Sequence, residues 1–192
     1  MGKERLAAFS DGVIAIIITI MVLELKLPHG ADWATLAGVA PHFLSYVLSF
    51  IYLAIYWSNH HHLLHTVTRV DGLILWANSH LLFWLSLIPA ATAWLGDNYP
   101  APVPTAVYGV TLLMPAIAYV LLQNAIVHKQ GKHSVLAAAL GKDLKGKISP
   151  LLYVAGIALA FVNPLVAIAL YVLVAAIWLV PDRRIEKVIG ES

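Results

Sequence analysis

The chain has 192 residues, of which 60% are hydrophobic and only 11% are charged. Soluble domains carry about 25% charged residues. A large core cannot explain the low charge here, because a chain this short keeps much of its surface exposed. The composition therefore indicates that the exposed surface faces lipid. The net charge of +2 gives no sign of a nucleic-acid partner. The lack of cysteine excludes disulfides and cysteine metal sites.

Six segments approach the length of about 20 mainly apolar residues that a membrane-crossing helix needs. The apolar stretch 148–180 is too long for one span and slightly short for two, and Asn163-Pro164 in its middle is a turn signal. We therefore predict a tight hairpin of two short helices there. The chain is predicted to be one all-α transmembrane domain over residues 1–192, with spans at 6–27, 36–59, 73–95, 103–128, 148–162 and 164–180.

The basic residues predict the orientation, because Lys and Arg gather on the cytoplasmic side of membrane proteins. With six spans and both termini in the cytoplasm, eleven of the twelve basic residues lie inside, and only Lys26 lies outside. A five-span arrangement would move Arg183 and Arg184 outside. Charge placement therefore favours six spans.

The first span has one apolar face. Ile16, Ile20 and Leu23, continued by Leu27, follow helical spacing, and Thr19 lies on the same face. Such a stripe is most often ordinary helix packing. A second interpretation, that it lines a functional surface, is favoured by the polar residues at the cytoplasmic end of the same helix.

Those polar residues are Arg5, Ser10 and Asp11. Ionisable groups at membrane depth are costly and usually face protein or water. Ser10 or Asp11 could instead cap the helix N-terminus by accepting backbone N–H bonds. The residues alone leave these two interpretations open.

The pattern resembles the first helix of the transmembrane-protein-175 family, the lysosomal potassium channels and their bacterial relatives. Arg5, Phe9, Ser10 and Asp11 have the spacing Arg-x-x-x-Phe-Ser-Asp, and the helix then carries a threonine and ends near Glu-x-x-x-Pro. A second region is similar as well, with residues Trp57, His60, His61, Arg69, Asp71, Asn78 and Pro89. The resemblance is close over the first half of the chain and extends to hydropathy and span count in the second.

The resemblance implies a homotetramer of six-span subunits in the plasma membrane of a prokaryote, with the first helix lining a central pore. It implies a potassium-preferring cation channel that conducts K⁺ passively and needs no cofactor. Apolar rings of Ile16, Ile20 and Leu23 would form a hydrophobic gate, and Thr19 would contribute selectivity. The resemblance also implies a network that anchors the first helix, formed by Arg5, Phe9, Ser10, Asp11, Trp57, His60, His61 and Asp71.

The residues add some physical support. A ring of branched aliphatic side chains can dewet and close a pore, and Thr19 is the one side chain on that face with an oxygen to offer. Glu24 could form a carboxylate ring that concentrates cations at the outer mouth, or its side chain could extend to the interface. Both interpretations of Glu24 stay open.

Four of the nine histidines lie close together, at positions 60, 61, 62 and 65. His61 and His65 are spaced i, i+4, as in metal sites, but the segment contains no Asp, Glu or Cys. We predict no metal there. We also predict no enzymatic activity, because no nucleophile–base pair is apparent. A secondary transporter or proton-coupled cation carrier is the alternative function, although such proteins tend to show internal repeats and this chain shows none.

Overall fold

The computed structural model describes residues 2–25, 28–131, 134, 136–137 and 144–179, and the elements in these ranges are helices. Four stretches are long and apolar enough to cross a membrane, namely 3–23, 40–65, 72–97 and 102–130. The helices are α1 (Lys3–Leu23), α2 (Trp33–Gly38), α3 (Ala40–His65), α4 (Gly72–Ser86), α5 (Ile88–Asp97), α6 (Pro102–Gln130), α7 (Leu144–Leu159) and α8 (Pro164–Leu179).

Helix α1 ends at Leu23, earlier than the predicted end at Leu27. The backbone N–H of Glu24 still bonds to the carbonyl of Ile20, and Leu25 N–H bonds to Val22, which tightens the last turn. Pro28 follows, and a proline disfavours the helical conformation of the residue before it. Position 27 itself lies outside the described residues.

The predicted second span, 36–59, was wrong at both ends. Residues 33–38 form the separate helix α2. Asp32 caps its N-terminus, and the Asp32 carboxylate accepts a 2.7 Å bond from the Thr35 backbone N–H. Helix α3 begins at Ala40 and continues through the histidine segment to His65. The predicted end of the span followed the drop in hydropathy at the histidines. Histidine does not break a helix, so the prediction ended the helix too early.

The predicted third span is two helices, α4 and α5, which meet at Leu87. Pro89 lies in the first turn of α5. Proline has no backbone N–H to continue the hydrogen-bond ladder and tolerates only the first turn of a helix, so a new helix begins just before it. Together the two helices still form one candidate span, 72–97.

The C-terminal apolar stretch is a helical hairpin, as its turn signal predicts. Helices α7 and α8 pack against each other, and the side chain of Asn163 accepts a 3.0 Å bond from the Leu165 backbone N–H at the start of α8. Each helix has 16 residues, or about 24 Å at 1.5 Å per residue, against about 30 Å of hydrocarbon. A crossing of the membrane by these two helices stays a prediction.

Helix α1 packs against α3, α4 and α5. Its buried positions are Leu6, Ser10, Ile14, Ile17 and Met21, which repeat every three or four residues and therefore form one face. A second core around Tyr108 and Tyr171 joins α6 to the C-terminal hairpin. The described part of the chain therefore packs against α1 on one side of that helix.

Candidate functional site: the first helix and its anchors

The side of α1 opposite its buried face is apolar and uncovered in the single chain. Ile16 is 59% exposed, Ile20 42% and Leu23 82%. Phe9 lies on the same side, two turns before Ile16, and is also exposed. The three side chains predicted to form rings therefore share one uncovered face.

Thr19 is exposed on this face. Its hydroxyl donates a 2.8 Å hydrogen bond to the carbonyl of Ile16 in the preceding turn. The single hydroxyl proton is thus used within the helix, and the oxygen lone pairs remain available as acceptors. An oxygen with free lone pairs is the form that can contact a cation.

A groove of about 570 Å³ runs beside the uncovered face. One wall is formed by α1 residues that include Ile16, Ile20 and Glu24, and the other by α4 and α5. The second wall consists of Ser86, Pro89, Ala90 and Ala93. Small residues at such a wall allow another helix to approach closely.

The C-terminal end of α1 is joined to the rest of the chain by His42. Its Nε2 lies 3.1 Å from the backbone carbonyl oxygen of Glu24, and its Nδ1 lies 3.3 Å from the carboxylate of Asp97. His42 therefore joins the end of α1 to the end of α5. The side chain of Glu24 is exposed just beyond the helix, immediately after Leu23.

The N-terminal half of α1 is anchored by a buried chain of hydrogen bonds. Asn78 Nδ2 donates to Ser10 Oγ at 3.0 Å, and Asn78 Oδ1 lies 2.7 Å from His60 Nε2. Ser10 in turn donates to the carbonyl of Leu6 at 2.9 Å. Ser10 and Asn78 are fully buried and His60 is 1% exposed, so three helices meet at this chain.

The donor order in this chain determines the histidine tautomer. Because the amide nitrogen of Asn78 faces Ser10, its oxygen faces His60, and Nε2 of His60 must donate. Among the described residues, Nδ1 of His60 is buried with no hydrogen-bond partner. The proton of the neutral imidazole is therefore on Nε2.

Two further contacts hold the same end of α1. The indole Nε1 of Trp57 donates to Asp11 Oδ1 at 3.1 Å, and the ammonium of Lys3 donates to the backbone carbonyl of His65 at 2.9 Å. A cation at the last carbonyls of α3 also interacts favourably with the helix dipole. Both contacts join α1 to α3.

Hydrogen bonds between described residues include Ser10, Asp11, Trp57 and His60 in the contacts that anchor α1, and the other residues of the predicted network take no part in these bonds. Those others are Arg5, Phe9, His61 and Asp71. Within the described part of the chain, the exposed Arg5 makes no hydrogen bond to Asp11 or Asp71, and Phe9 lies on the uncovered face. His61 contacts His65, with 3.1 Å between their Nε2 atoms.

Asp71 belongs to another contact. It caps α4 by accepting a 3.0 Å bond from the Ile74 backbone N–H, and it lies 3.3 Å from the Lys129 ammonium of α6. The backbone bond first, and then Lys129, hold the pKa of Asp71 below its ordinary value of 3.8. An Asp at the start of an apolar run is a helix N-cap signal, and the sequence-based predictions did not use it.

Asn78 and Lys3 are the site residues that sequence reasoning placed in lesser roles. The resemblance includes Asn78 without assigning it a contact, and the structure supplies two hydrogen-bond partners from different helices. Lys3 was counted only as a cytoplasmic charge. A polar amide in the middle of an apolar span is a usable signal for the first, and no local pattern marks the second.

Comparison with known proteins gives a consistent picture. The family model described as endosomal/lysosomal potassium channel TMEM175 matches residues 5–89, the part of the chain that contains α1 and its anchors. A potassium channel of Chryseobacterium sp. (strain P1-3) is 57% identical over 192 residues, which is 100% of both chains. The endosomal/lysosomal proton channel TMEM175 of Homo sapiens is 37% identical over 89 residues, 38% of this chain and 18% of the human protein.

The fold is also similar to that of a solved channel. The crystal structure of a lysosomal potassium-selective channel TMEM175 homolog from Chamaesiphon minutus matches with a TM-score of 0.82 and 27% sequence identity. The match covers 94% of this chain and 97% of that one. The likeness therefore extends over the C-terminal hairpin as well as the first helix.

Proposed function

The chain belongs to the TMEM175 potassium-channel family, and on this premise we propose that it is a potassium-preferring cation channel whose pore is lined by α1. The family is one of multi-pass membrane channels and not an enzyme class. Conduction is passive and requires no cofactor, and K⁺ is the permeant ion.

The observation that carries the proposal is the uncovered apolar face of α1. Ile16, Ile20 and Leu23 are exposed in the single chain although they lie on a helix whose opposite face is packed. Four chains arranged with this face inward form rings of branched aliphatic side chains. Such rings exclude water when the pore is narrow, and their withdrawal opens it.

Thr19 supports a selectivity role within the same face. Its hydroxyl proton is engaged by the Ile16 carbonyl, so four Thr19 side chains in a tetramer present acceptor oxygens toward the axis. Aliphatic rings cannot replace the hydration shell of an ion, whereas hydroxyl oxygens can replace part of it. We assign the preference for K⁺ over Na⁺ to this ring.

The outer mouth and the anchors complete the proposed mechanism. Four exposed Glu24 carboxylates concentrate cations ahead of Leu23. Ser10 and Asp11, bonded to Asn78 and Trp57, hold the cytoplasmic half of α1 while its uncovered face stays free to move at the pore.

The assembly proposed is a homotetramer in the plasma membrane of a prokaryote. The groove beside α1 supports it, since it offers a small-residue wall where the helix of a neighbouring copy can pack. Six spans with both termini in the cytoplasm follow from the distribution of basic residues. These features go together, because a pore on α1 requires several copies around one axis.

Flux from proteoliposomes tests the proposal. Purified protein is reconstituted, and K⁺, Na⁺ and H⁺ fluxes are recorded for Ile16→Ala, Ile20→Ala, Leu23→Ala and Thr19→Val. The three alanine variants are expected to raise flux, because shorter side chains widen the rings. Thr19→Val is expected to lower the K⁺/Na⁺ ratio, because valine keeps the shape and removes the oxygen.

Val22→Ala is the matched control, since Val22 is also exposed on α1 but points about a third of a turn away from the stripe. It should leave flux and selectivity unchanged. Saturable exchange that the ring variants do not alter would support a cation carrier instead. An H⁺ flux that exceeds K⁺ flux would support the activity named for the human relative.

A further inference from the structure

The C-terminal turn of α3 carries two histidines whose rings converge. The Nε2 atoms of His61 and His65 are 3.1 Å apart, their ring centroids are 4.5 Å apart, and the rings are inclined by 69°. Both side chains are exposed at the C-terminal end of α3, which charge placement predicts to face the cytoplasm. Neither the buried anchor chain nor the uncovered face of α1 uses this pair.

The separation fits a chelated metal ion. With a metal–nitrogen distance of about 2.05 Å, two imidazole nitrogens lie about 2.9 Å apart at a right angle and about 3.3 Å apart at the tetrahedral angle. The observed 3.1 Å lies between these values. Two rings aimed at one such ion would have centroids about 4.8 Å apart, close to the observed 4.5 Å.

The helix enforces this convergence. Residues at i and i+4 lie one above the other on the same side of a helix. Because α3 continues to His65 instead of ending near Asn59, both histidines sit on regular helix. A proton shared between the two nitrogens occupies the same position that an ion would take.

We propose that His61 and His65 form a two-nitrogen site for a divalent first-row transition metal such as Zn²⁺ or Cu²⁺. Imidazole suits these ions, whereas Mg²⁺ and Ca²⁺ prefer oxygen ligands. Solvent completes the coordination, because both side chains are exposed. This revises the prediction of no metal, which rested on the lack of nearby Asp, Glu and Cys in the sequence.

The residues around His61 and His65 determine how tightly the pair binds a metal ion. The described residues contain no group of three or more His, Cys, Asp or Glu side chains placed to hold a metal, so the pair supplies two ligands. The Lys3 ammonium contacts the His65 carbonyl, and this nearby positive charge opposes a cation. The site is therefore weaker than a four-ligand structural zinc site and exchanges its ion readily.

An optical reporter already lies beside the pair. The ring centroids of Trp57 and His61 are 6.2 Å apart. A Cu²⁺ ion held by His61 and His65 is close enough to quench the fluorescence of Trp57. The same indole donates to Asp11, so an ion at this position lies beside one of the anchors of α1.

Copper binding to the full-length, untagged protein in detergent tests the site. Paramagnetic resonance is expected to show one Cu²⁺ per chain with hyperfine splitting from two nitrogens. His61→Ala and His65→Ala should each weaken binding by about tenfold or more and reduce the nitrogen count to one, because each removes one of two ligands. Excess Zn²⁺ should displace the Cu²⁺.

His128→Ala is the matched control, because His128 is exposed in the last turn of α6. It should leave Cu²⁺ affinity and the two-nitrogen spectrum unchanged. Equal Cu²⁺ affinity in wild type, His61→Ala and His65→Ala would overturn the proposal. So would a loss confined to one of the two variants, which would indicate a single-histidine contact.

Discussion

Replacement of Asn78 by leucine removes the central link of the buried chain that anchors α1. Leucine has the same number and branching of side-chain heavy atoms as asparagine, so the change deletes hydrogen bonds without opening a cavity. Two bonds between helices are lost, one to Ser10 at 3.0 Å and one to His60 at 2.7 Å. Ser10 keeps its bond to Leu6, whereas the imidazole of His60 is left with neither nitrogen bonded to a described residue.

The size of the expected loss in unfolding free energy follows from the position of these hydrogen bonds between membrane helices. Hydrogen bonds between helices in membranes contribute about 0.6 kcal/mol on average and about 1.7 kcal/mol at most. Two bonds therefore contribute about 1.2 kcal/mol, and an orphaned buried imidazole adds about 1 kcal/mol or more. We expect Asn78→Leu to lower the free energy of unfolding by about 2 kcal/mol.

Equilibrium unfolding in mixed micelles measures this loss. A double-mutant cycle with Ser10→Ala isolates the bond between Ser10 and Asn78, with a coupling energy of about 0.6 kcal/mol expected. Asn124→Leu is the matched control, because Asn124 is exposed on α6. The reasoning is refuted if Asn78→Leu destabilises no more than Asn124→Leu, or if the coupling is zero.

Two further predictions concern other contacts. Asp71→Asn keeps the cap on α4 but removes the charge that faces Lys129 at 3.3 Å. Because the folded-state pKa of Asp71 lies below 3.8, its charge stabilises the fold above pH 3.8 and that contribution is lost as the pH falls through the lower value. Unfolding curves should therefore show wild type more stable than Asp71→Asn at pH 7, with the difference disappearing in acid. Gly109→Ala places a methyl group against the hydroxyl of Tyr171, and thermal unfolding should show a loss of about 1–3 kcal/mol from overpacking.

Controls separate these effects from general damage. Lys129→Gln should reproduce part of the Asp71→Asn effect at pH 7, and a difference that stays constant from pH 7 to pH 3 would contradict the assignment. Gly38→Ala is the control for Gly109→Ala, because a methyl group there meets nothing within 4 Å. Equal stability of the two alanine variants would show that the close packing around Tyr171 is wrong.

Composition and short patterns predicted much of the architecture. Low charge indicated lipid as the solvent, and Asn163-Pro164 predicted the C-terminal hairpin that the structure shows. Helical spacing alone placed Ile16, Ile20 and Leu23 on one face. These inferences succeed because each depends on residues close in sequence and on a period that a helix imposes.

The ends of the helices and the contacts between distant residues were harder to predict from the sequence. Hydropathy reports where lipid is favourable, not where a helix stops, so α3 was ended six residues before His65. Pro89 is a local signal for the break between α4 and α5, but in an otherwise apolar run its effect was missed. The contacts of Asp71 with Lys129 and of Lys3 with His65 join residues about 60 positions apart, and no local pattern specifies such pairs.

The central claim is that the uncovered face of α1 meets water in a pore and not lipid. The chain contains no cysteine, so single cysteines can be introduced at Thr19, Leu23 and Val22 without background. A water-soluble, positively charged thiol reagent is then applied to proteoliposomes during K⁺ flux. The pore assignment predicts that Thr19→Cys and Leu23→Cys are modified and lose flux, while Val22→Cys is unaffected. Modification and block at Val22→Cys alone, or at none of the three positions, would contradict it.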